Sequence, residues 1–118
     1  MGWFSRLTSG MPLPADAPAA PPAAPGGIDA VLLDVRSPGE FASGHIDGAL
    51  NVPLDRLAHD IAQAVPDRAT PLVLYCQSGG RSGMACQVLR QLGYTQLSNG
   101  GGVGALALQL GRPIQRLR

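Results

Sequence analysis

The stretch LYCQSGGRSG, from Leu74 to Gly83, is the most informative part of this chain. An apolar run ends at Tyr75, one cysteine follows, and then come small and polar residues, an arginine and the start of a helical pattern. This order is typical of a strand that passes through a tight loop into a helix. Functional sites of α/β sheets lie at the carboxyl ends of strands. The stretch therefore predicts a strand–loop–helix unit and a place for chemistry.

The same alternation of short apolar runs and helical periodicity covers the chain from Ile28 onward. Strands are predicted at 30–35, 48–53, 71–76 and 94–99. Helices are predicted at 37–44, 54–65, 81–93 and 101–110, with Ser37 as an N-cap, Pro38 at the first helical position and Gly93 as a stop. This order predicts an α/β fold of three layers, a small parallel sheet with helices on both faces.

The apolar positions of two predicted helices indicate which faces are buried. They are Leu54, Leu57, Ala58, Ile61 and Val65 in the second helix, and Ala85, Val88, Leu89 and Leu92 in the third. Their spacing places each set on one helical face, which is expected to pack against the sheet.

Composition limits the chain to one domain and excludes several functions. The 118 residues are 45% hydrophobic but only 4% aromatic, which predicts an aliphatic core. A net charge of +1 without a basic face argues against nucleic-acid binding. Two cysteines and two histidines are too few for a disulfide framework or a zinc site, so we expect free thiols and no metal.

The ends of the chain differ from its middle. Six prolines between residues 12 and 25, mixed with alanine, predict a flexible segment over 1–27 that is dispensable for chemistry. The folded domain is expected at 28–112, followed by a solvated basic tail at 113–118. No signal peptide or membrane span is recognisable, so the expected location is the cytoplasm, with the periplasm as the alternative.

The loop after the third strand has the composition of an anion cradle. Gly79 and Gly80 let successive N–H groups turn inward, while Arg81 and Ser82 are expected to open a helix whose N-terminus favours negative charge. These groups would lower the pKa of Cys76 and make it a nucleophile. The alternative is that Cys76 is a small apolar core residue and that the glycines only make a turn.

Loop length favours sulfur over phosphorus as the transferred atom. Cysteine phosphatases place five residues between cysteine and arginine, whereas four separate Cys76 from Arg81. A shorter loop makes a narrower ring of amides, better suited to a sulfur atom carried on the thiolate. A small phosphatase or arsenate reductase remains the weaker alternative.

Three motifs together resemble a single-domain rhodanese over roughly Asp29 to Leu110. They are LLDVRSPGEFASGHIDGALNVPL, VLYCQSGGRSGMACQVLRQLGY and LSNGGG. The chain is most similar to the short phage-shock type of thiosulfate sulfurtransferase, which shares the pattern Cys-x-x-Gly-x-x-Ser-Gly around the loop. The resemblance implies a rhodanese-like fold. The strand and helix that usually precede the first motif are not recognisable, which leaves open a sheet reduced by one N-terminal strand.

The resemblance also implies an activity. Cys76 would accept sulfane sulfur from thiosulfate as a persulfide and pass it to cyanide, a small thiol or a protein acceptor. The substrate-binding cradle would be formed by Gln77, Ser78, Gly79, Gly80, Arg81 and Ser82. No cofactor or metal is implied. The alternative is a partner-docked persulfide carrier or sulfur-sensing module with little turnover of its own.

Other polar residues near the predicted site are assigned structural roles. Asp34 and Arg36 lie at the carboxyl end of the first strand, and Glu40 lies four residues after Arg36. A local Arg36–Glu40 pair that stabilises the turn is preferred over substrate contact. His45 is expected to fix its loop by a hydrogen bond. Cys86 is expected to be a partly buried apolar residue, and His59 to be solvated.

Overall fold

The computed structural model describes residues 30–117. The predicted flexible segment 1–27 and the question of a missing N-terminal strand lie outside these residues. Six strands are present among them: β1 Val31–Asp34, β2 His45–Ile46, β3 Leu50–Asn51, β4 Leu72–Cys76, β5 Leu97–Gly102 and β6 Ile114–Gln115. The helices are α1 Pro38–Ser43, α2 Leu57–Ala64, α3 Gly80–Gln91 and α4 Val103–Leu110, and a 3₁₀ turn spans Leu54–Arg56.

The main sheet has four parallel strands in the order β3-β1-β4-β5. Leu33 pairs with Leu74 of β4 on one side and with Leu50 of β3 on the other. Between β4 and β5 the register shifts by one residue, so that Leu74 pairs with Asn99 but Tyr75 pairs with Gly101. The parallel sheet with its crossover helices confirms the predicted α/β fold.

Two separate hydrophobic clusters cover the two faces of the sheet. Successive β4 residues alternate between them, because side chains along a strand point to opposite faces. Leu74 and Cys76 join Ala85 and Leu89 of α3 in one cluster. Tyr75 joins the other cluster, which contains Leu106 and Ala107 of α4. The sheet is thus the middle of three layers.

Local sequence signals account for the start of α1 and the end of α3. Ser37 accepts a hydrogen bond from the Glu40 N–H while the Glu40 carboxylate accepts from the Ser37 N–H, a capping box that begins α1. After α3, Gly93 has a φ of 97°, the left-handed conformation that glycine tolerates. No helix among residues 30–117 is both long enough and apolar enough to cross a membrane.

Several predicted boundaries were wrong. The third helix begins at Gly80 rather than Arg81, and the last strand runs from Leu97 to Gly102 rather than from 94 to 99. Ala58 is exposed, because α2 begins only after the 3₁₀ turn and presents Leu57 and Ile61 to the core. Leu92 is 37% exposed, since it lies beyond the last residue of α3.

A small antiparallel pair joins part of the predicted basic tail to the domain. His45 pairs with Gln115 and Ile46 with Ile114. In addition, the Leu117 N–H donates to the carbonyl of Ala42. Residues 114–117 therefore run along the domain while remaining exposed to solvent, and the domain boundary at 112 stays a prediction. The sequence signal was weak because each strand is only two residues long.

Candidate active site

The sulfur of Cys76 lies at the carboxyl end of the central strand β4. The side chain is 1% exposed and points to the α3 side of the sheet, because Cys76 shares its cluster with Ala85 and Leu89. The Gly79 N–H donates to Sγ at 2.9 Å, and the Ser82 hydroxyl lies 3.6 Å from it. A loop amide and a helix hydroxyl thus face one sulfur atom.

Glycine at position 79 is required by its backbone conformation, while the space around it would still admit a Cβ in ordinary contact. Its φ is 103°, and a Cβ at this position would lie 3.4 Å from the Cα of Gly101 in β5. Gly79 is also the N-cap of α3, whose first residue is Gly80. The glycine run of β5 therefore allows the loop to pack closely and to aim its N–H groups at the sulfur.

The surroundings of Cys76 favour its thiolate. Burial alone raises the pKa of the thiol, but hydrogen bonds from the Ser82 N–H and hydroxyl and from the N–H groups of Gly79 and Ser78 outweigh it. The net result lowers the pKa from 9.0 to about 7. By contrast, burial raises the pKa of Cys86, which has no such donors. Of the two thiols, only Cys76 has the environment of a nucleophile.

The other loop residues do not all face the sulfur. Gln77 turns its side chain toward β1, where its Oε1 accepts a hydrogen bond from Arg36 at 3.1 Å. Its backbone carbonyl lies against β5, because a Cβ at Gly102 would be only 2.7 Å from that oxygen. Gly80 belongs to the first turn of α3. The groups that surround Cys76 are thus the Ser78 and Gly79 amides and Ser82.

The predicted Arg36–Glu40 pair was wrong. Arg36 instead forms a buried ion pair with Asp34, its Nη2 lying 2.7 Å from Oδ2, and it also donates to the Gly44 carbonyl. Arg36 is 4% exposed and Asp34 is 0% exposed. The chain turns at the end of β1, and this turn brings the guanidinium back over the carboxylate two residues earlier. Asn51 completes the arrangement by donating to the carbonyls of both residues.

Glu40 pairs with Arg81, 41 residues away in sequence. The Arg81 side chain donates to both carboxylate oxygens, at 2.7 and 2.9 Å. Hydrogen bonds from Arg81 and from the Ser37 N–H lower the pKa of Glu40 to about 2. The arginine predicted to bind an anionic substrate is therefore already paired with a carboxylate at the surface.

An open groove runs beside the loop on the Glu40 side. Polar side chains of Arg36, Glu40 and Gln77 line it together with the apolar side chains of Val103 and Ile114. Cys76 itself does not line this groove, which borders the loop at Gln77. Among residues 30–117 no group of three His, Cys, Asp or Glu side chains is placed to hold a metal ion.

Asn99 belongs to the site although the sequence did not single it out. Its Oδ1 accepts a hydrogen bond from the Ser82 hydroxyl at 2.7 Å, and its Nδ2 donates to the Gly79 carbonyl at 3.3 Å. The signal that could have found it is a lone amide at the end of a strand, directly before three glycines.

The two histidines lie away from the sulfur cradle. His45 stacks on Phe41, and its Nδ1 lies 2.9 Å from the Phe41 carbonyl, which is the loop-fixing role predicted for it. His59 is exposed beside Asp60, in agreement with its predicted solvation. Neither ring provides a general base for Cys76.

A known protein family matches most of this chain. A model of the rhodanese-like domain matches residues 23–103. The chain belongs to the rhodanese-like family. This confirms the resemblance that the three sequence motifs indicated.

The family members similar to this rhodanese-like chain include named sulfurtransferases. The thiosulfate sulfurtransferase PspE of Escherichia coli (strain K12) is 40% identical over 76 residues, which are 64% of this chain and 73% of that protein. A thiosulfate:glutathione sulfurtransferase of Homo sapiens is 40% identical over 80 residues, covering 58% of this chain and 70% of that protein.

Solved rhodanese structures share the fold. A structure described as a rhodanese with anions from E. coli superimposes with a TM-score of 0.66 at 34% identity, covering 74% of this chain and 98% of that one. A human single-domain sulfurtransferase gives a TM-score of 0.59 at 38% identity, covering 69% and 82% of the two chains. Sulfur transfer is thus the activity named for similar members of the family.

Proposed function

We propose that this protein is a thiosulfate sulfurtransferase that carries the transferred sulfur as a persulfide on Cys76. The observation that supports this most directly is the hydrogen bond from the Gly79 N–H to the Cys76 sulfur at 2.9 Å. Together with the Ser82 donors it lowers the pKa of this buried thiol to about 7, so a large fraction is thiolate near neutral pH. The sulfurtransferase names of similar proteins support the same reaction class.

The first half-reaction forms the persulfide. The Cys76 thiolate attacks the outer sulfur of thiosulfate, and a new S–S bond forms as the bond between the two thiosulfate sulfurs breaks. Sulfite leaves with that electron pair, and the outer sulfur stays on Cys76. Because the nucleophile is already ionised, this step needs no general base.

The second half-reaction returns the enzyme to its starting state. A thiolate or cyanide attacks the outer persulfide sulfur, and the Cys76 thiolate leaves. The amides of Ser78 and Gly79 stabilise the anionic sulfur in both steps, since they are fixed by the loop before the substrate arrives. Arg81 faces the sulfonate end of thiosulfate in the proposed complex, sharing its charge with Glu40.

A low-molecular-weight thiol is the acceptor class we propose. The groove beside the loop is open and has both polar and apolar walls, which suits a small peptide-like thiol. Two of the similar proteins carry the name thiosulfate:glutathione sulfurtransferase. A thiol acceptor and the two free cysteines fit a reducing compartment such as the cytoplasm.

The test is steady-state sulfur transfer from thiosulfate to cyanide and to glutathione, measured with the full chain. Cys76→Ser should abolish transfer, whereas Cys86→Ser, the matched control, should retain it. After incubation with thiosulfate the intact protein should gain one sulfur atom, located on Cys76 by peptide mass spectrometry.

Three results would count against this proposal. An adduct on Cys86 would overturn the assignment of the nucleophile. Persulfide formation without turnover would favour the partner-docked carrier. Faster hydrolysis of an aryl phosphate than sulfur transfer would favour the phosphatase alternative.

A further inference from the structure

The Ser82 hydroxyl has one proton and three neighbouring acceptors. It lies 2.7 Å from Asn99 Oδ1, 3.1 Å from the Gly79 carbonyl and 3.6 Å from the Cys76 sulfur. A hydroxyl donates to only one acceptor well at a time. The shortest contact is to Asn99, so the amide of Asn99 competes directly with the sulfur for this proton.

Asn99 is held in place for that competition. Its Oδ1 also accepts from the Gly101 N–H at 3.0 Å, and its Nδ2 donates to the Gly79 carbonyl at 3.3 Å. Its register partner is Leu74, whose side chain lies on the same side of the sheet as Cys76. The pairing register between β4 and β5 shifts directly after Asn99 and Leu74.

We propose that Asn99 is a positioning residue. Its Oδ1 accepts the hydrogen bond of the Ser82 hydroxyl and thereby limits how strongly that hydroxyl donates to the Cys76 sulfur. Its role in catalysis rests on the proposed function, whereas its effect on the thiol does not. When Cys76 ionises, a hydrogen bond from the Ser82 hydroxyl to the thiolate becomes more favourable. The existing hydrogen bond to Asn99 opposes this change of acceptor.

This competition has a use in sulfur transfer. A thiolate that is stabilised too strongly is a poorer nucleophile, because nucleophilicity falls as the pKa of the thiol falls. Gly79 already supplies one donor to the sulfur. By holding back the Ser82 hydroxyl, Asn99 would keep the thiolate reactive while the backbone amides keep it ionised.

The charged groups around the loop are separate from this pair. Arg81 and Glu40 pair across α3 and α1, and Arg36 pairs with Asp34 at the end of β1. Neither ion pair shares a hydrogen bond with Asn99 or Ser82 in the described part of the chain. Cys86, on the same helix as Ser82, has a pKa raised by burial. Substitution of Asn99 leaves all of these groups in place.

The experiment measures the rate of alkylation of Cys76 by iodoacetamide against pH, in the Cys86→Ser background so that one thiol reacts. Asn99→Leu removes the acceptor at similar size. We expect the midpoint to fall by about 0.5 pH units, which is about a threefold larger thiolate fraction below the midpoint. In the Ser82→Ala background, Asn99→Leu should have no effect, because the contested proton is gone.

A second pair of variants predicts the opposite sign. Asn99→Asp keeps the acceptor and gives it a charge, so it should hold the Ser82 proton more firmly and raise the midpoint. Ser98→Asp is the matched charge control. Ser98 is exposed and pairs with Val73, whose side chain belongs to the cluster on the opposite face of the sheet from Cys76. It should leave the midpoint near that of the parent protein.

The outcomes separate this proposal from the proposed function. An unchanged or raised midpoint in Asn99→Leu would overturn it, as would a shift that persists without Ser82 or an equal shift in Ser98→Asp. Alkylation needs no thiosulfate, so these readings stand even if the protein transfers no sulfur. A protein that transfers sulfur with an unaltered Asn99→Leu profile would keep the function and lose this inference.

Discussion

Arg81 and Glu40 join the first turns of α3 and α1 through two parallel hydrogen bonds, at 2.7 and 2.9 Å. Gly79, the residue immediately before α3, donates its N–H to the Cys76 sulfur, so this ion pair borders the proposed site. The carboxylate of Glu40 partly neutralises the positive charge of Arg81. We therefore expect the pair to influence how strongly the proposed site attracts an anionic donor.

Removal of the Glu40 charge should improve thiosulfate binding. In Glu40→Gln the guanidinium of Arg81 is no longer neutralised, so we expect KM for thiosulfate to fall about two- to fivefold, the range typical of partly exposed charge pairs. Glutamine also serves at this position of a capping box, so α1 should keep its start. Steady-state kinetics at low ionic strength measure the effect.

The control for this variant removes a carboxylate elsewhere. Asp60 pairs with Arg56 on the surface of α2, and Asp60→Asn makes the same change in net charge. Its KM should match that of the parent protein. A higher KM in Glu40→Gln would instead mean that Glu40 positions Arg81 for the donor.

Reactivity of Cys76 should follow a titration near neutral pH. Hydrogen bonds lower the pKa of this thiol to about 7, so the thiolate fraction and the alkylation rate should rise with pH and level off above about 8. Cys86, whose pKa is raised by burial, should react slowly across this range. Iodoacetamide kinetics on Cys86→Ser and Cys76→Ser separate the two thiols. A midpoint near pH 9 for the alkylation of Cys76 would show that the loop donors do not stabilise its thiolate.

Loss of the buried carboxylate of Asp34 should destabilise the fold. Asp34→Asn leaves the charge of Arg36 buried without its counter-ion, for which we expect a loss of about 3 kcal/mol in the free energy of unfolding. Urea denaturation measures it. Asp60→Asn, which breaks the exposed pair, should change stability little. Equal effects of the two substitutions would contradict the assignment of a buried pair.

A methyl group at Gly102 should disturb the loop more than the fold. Its Cβ would lie 2.7 Å from the Gln77 carbonyl, a backbone atom that yields only if the loop moves. We expect Gly102→Ala to lower kcat about tenfold or more, because the amides around Cys76 would lose their alignment. Gly39→Ala is the control, since nothing lies within 4 Å of a Cβ there. Retention of full activity in Gly102→Ala would show that the loop is not constrained by β5.

Much of the candidate site follows from local sequence. Cys76 ends a run of apolar residues and precedes two glycines, and a chain of this kind forms a buried strand followed by a tight turn whatever surrounds it. Ser37, Pro38 and Glu40 likewise specify the start of α1 within four residues. The predicted cap of α1 and the predicted strand before Cys76 are confirmed, because the interactions that form them join residues close in sequence.

The pairing of charges could not be predicted in the same way. Glu40 stands four residues after Arg36, a spacing that suggests a local pair. Yet Arg36 turns back to Asp34, and Glu40 meets Arg81 from the other half of the domain. Which partner a long side chain selects depends on how α1 and α3 lie at the sheet edge, and that geometry is set by the whole core.

The sequence by itself determined the order of the main-sheet strands and of the helices α1 to α4, the position of Cys76 at the end of β4 and the family, because hydrophobic period, caps and turn glycines act over a few residues. The tertiary structure alone decided the partners of Arg36, Glu40 and Arg81, the packing of 114–117 and the contact of Asn99 with Ser82. Asn99 reaches Ser82 only because β5 lies next to β4 in a parallel sheet. Such contacts between distant segments come from packing, which no short stretch of sequence encodes.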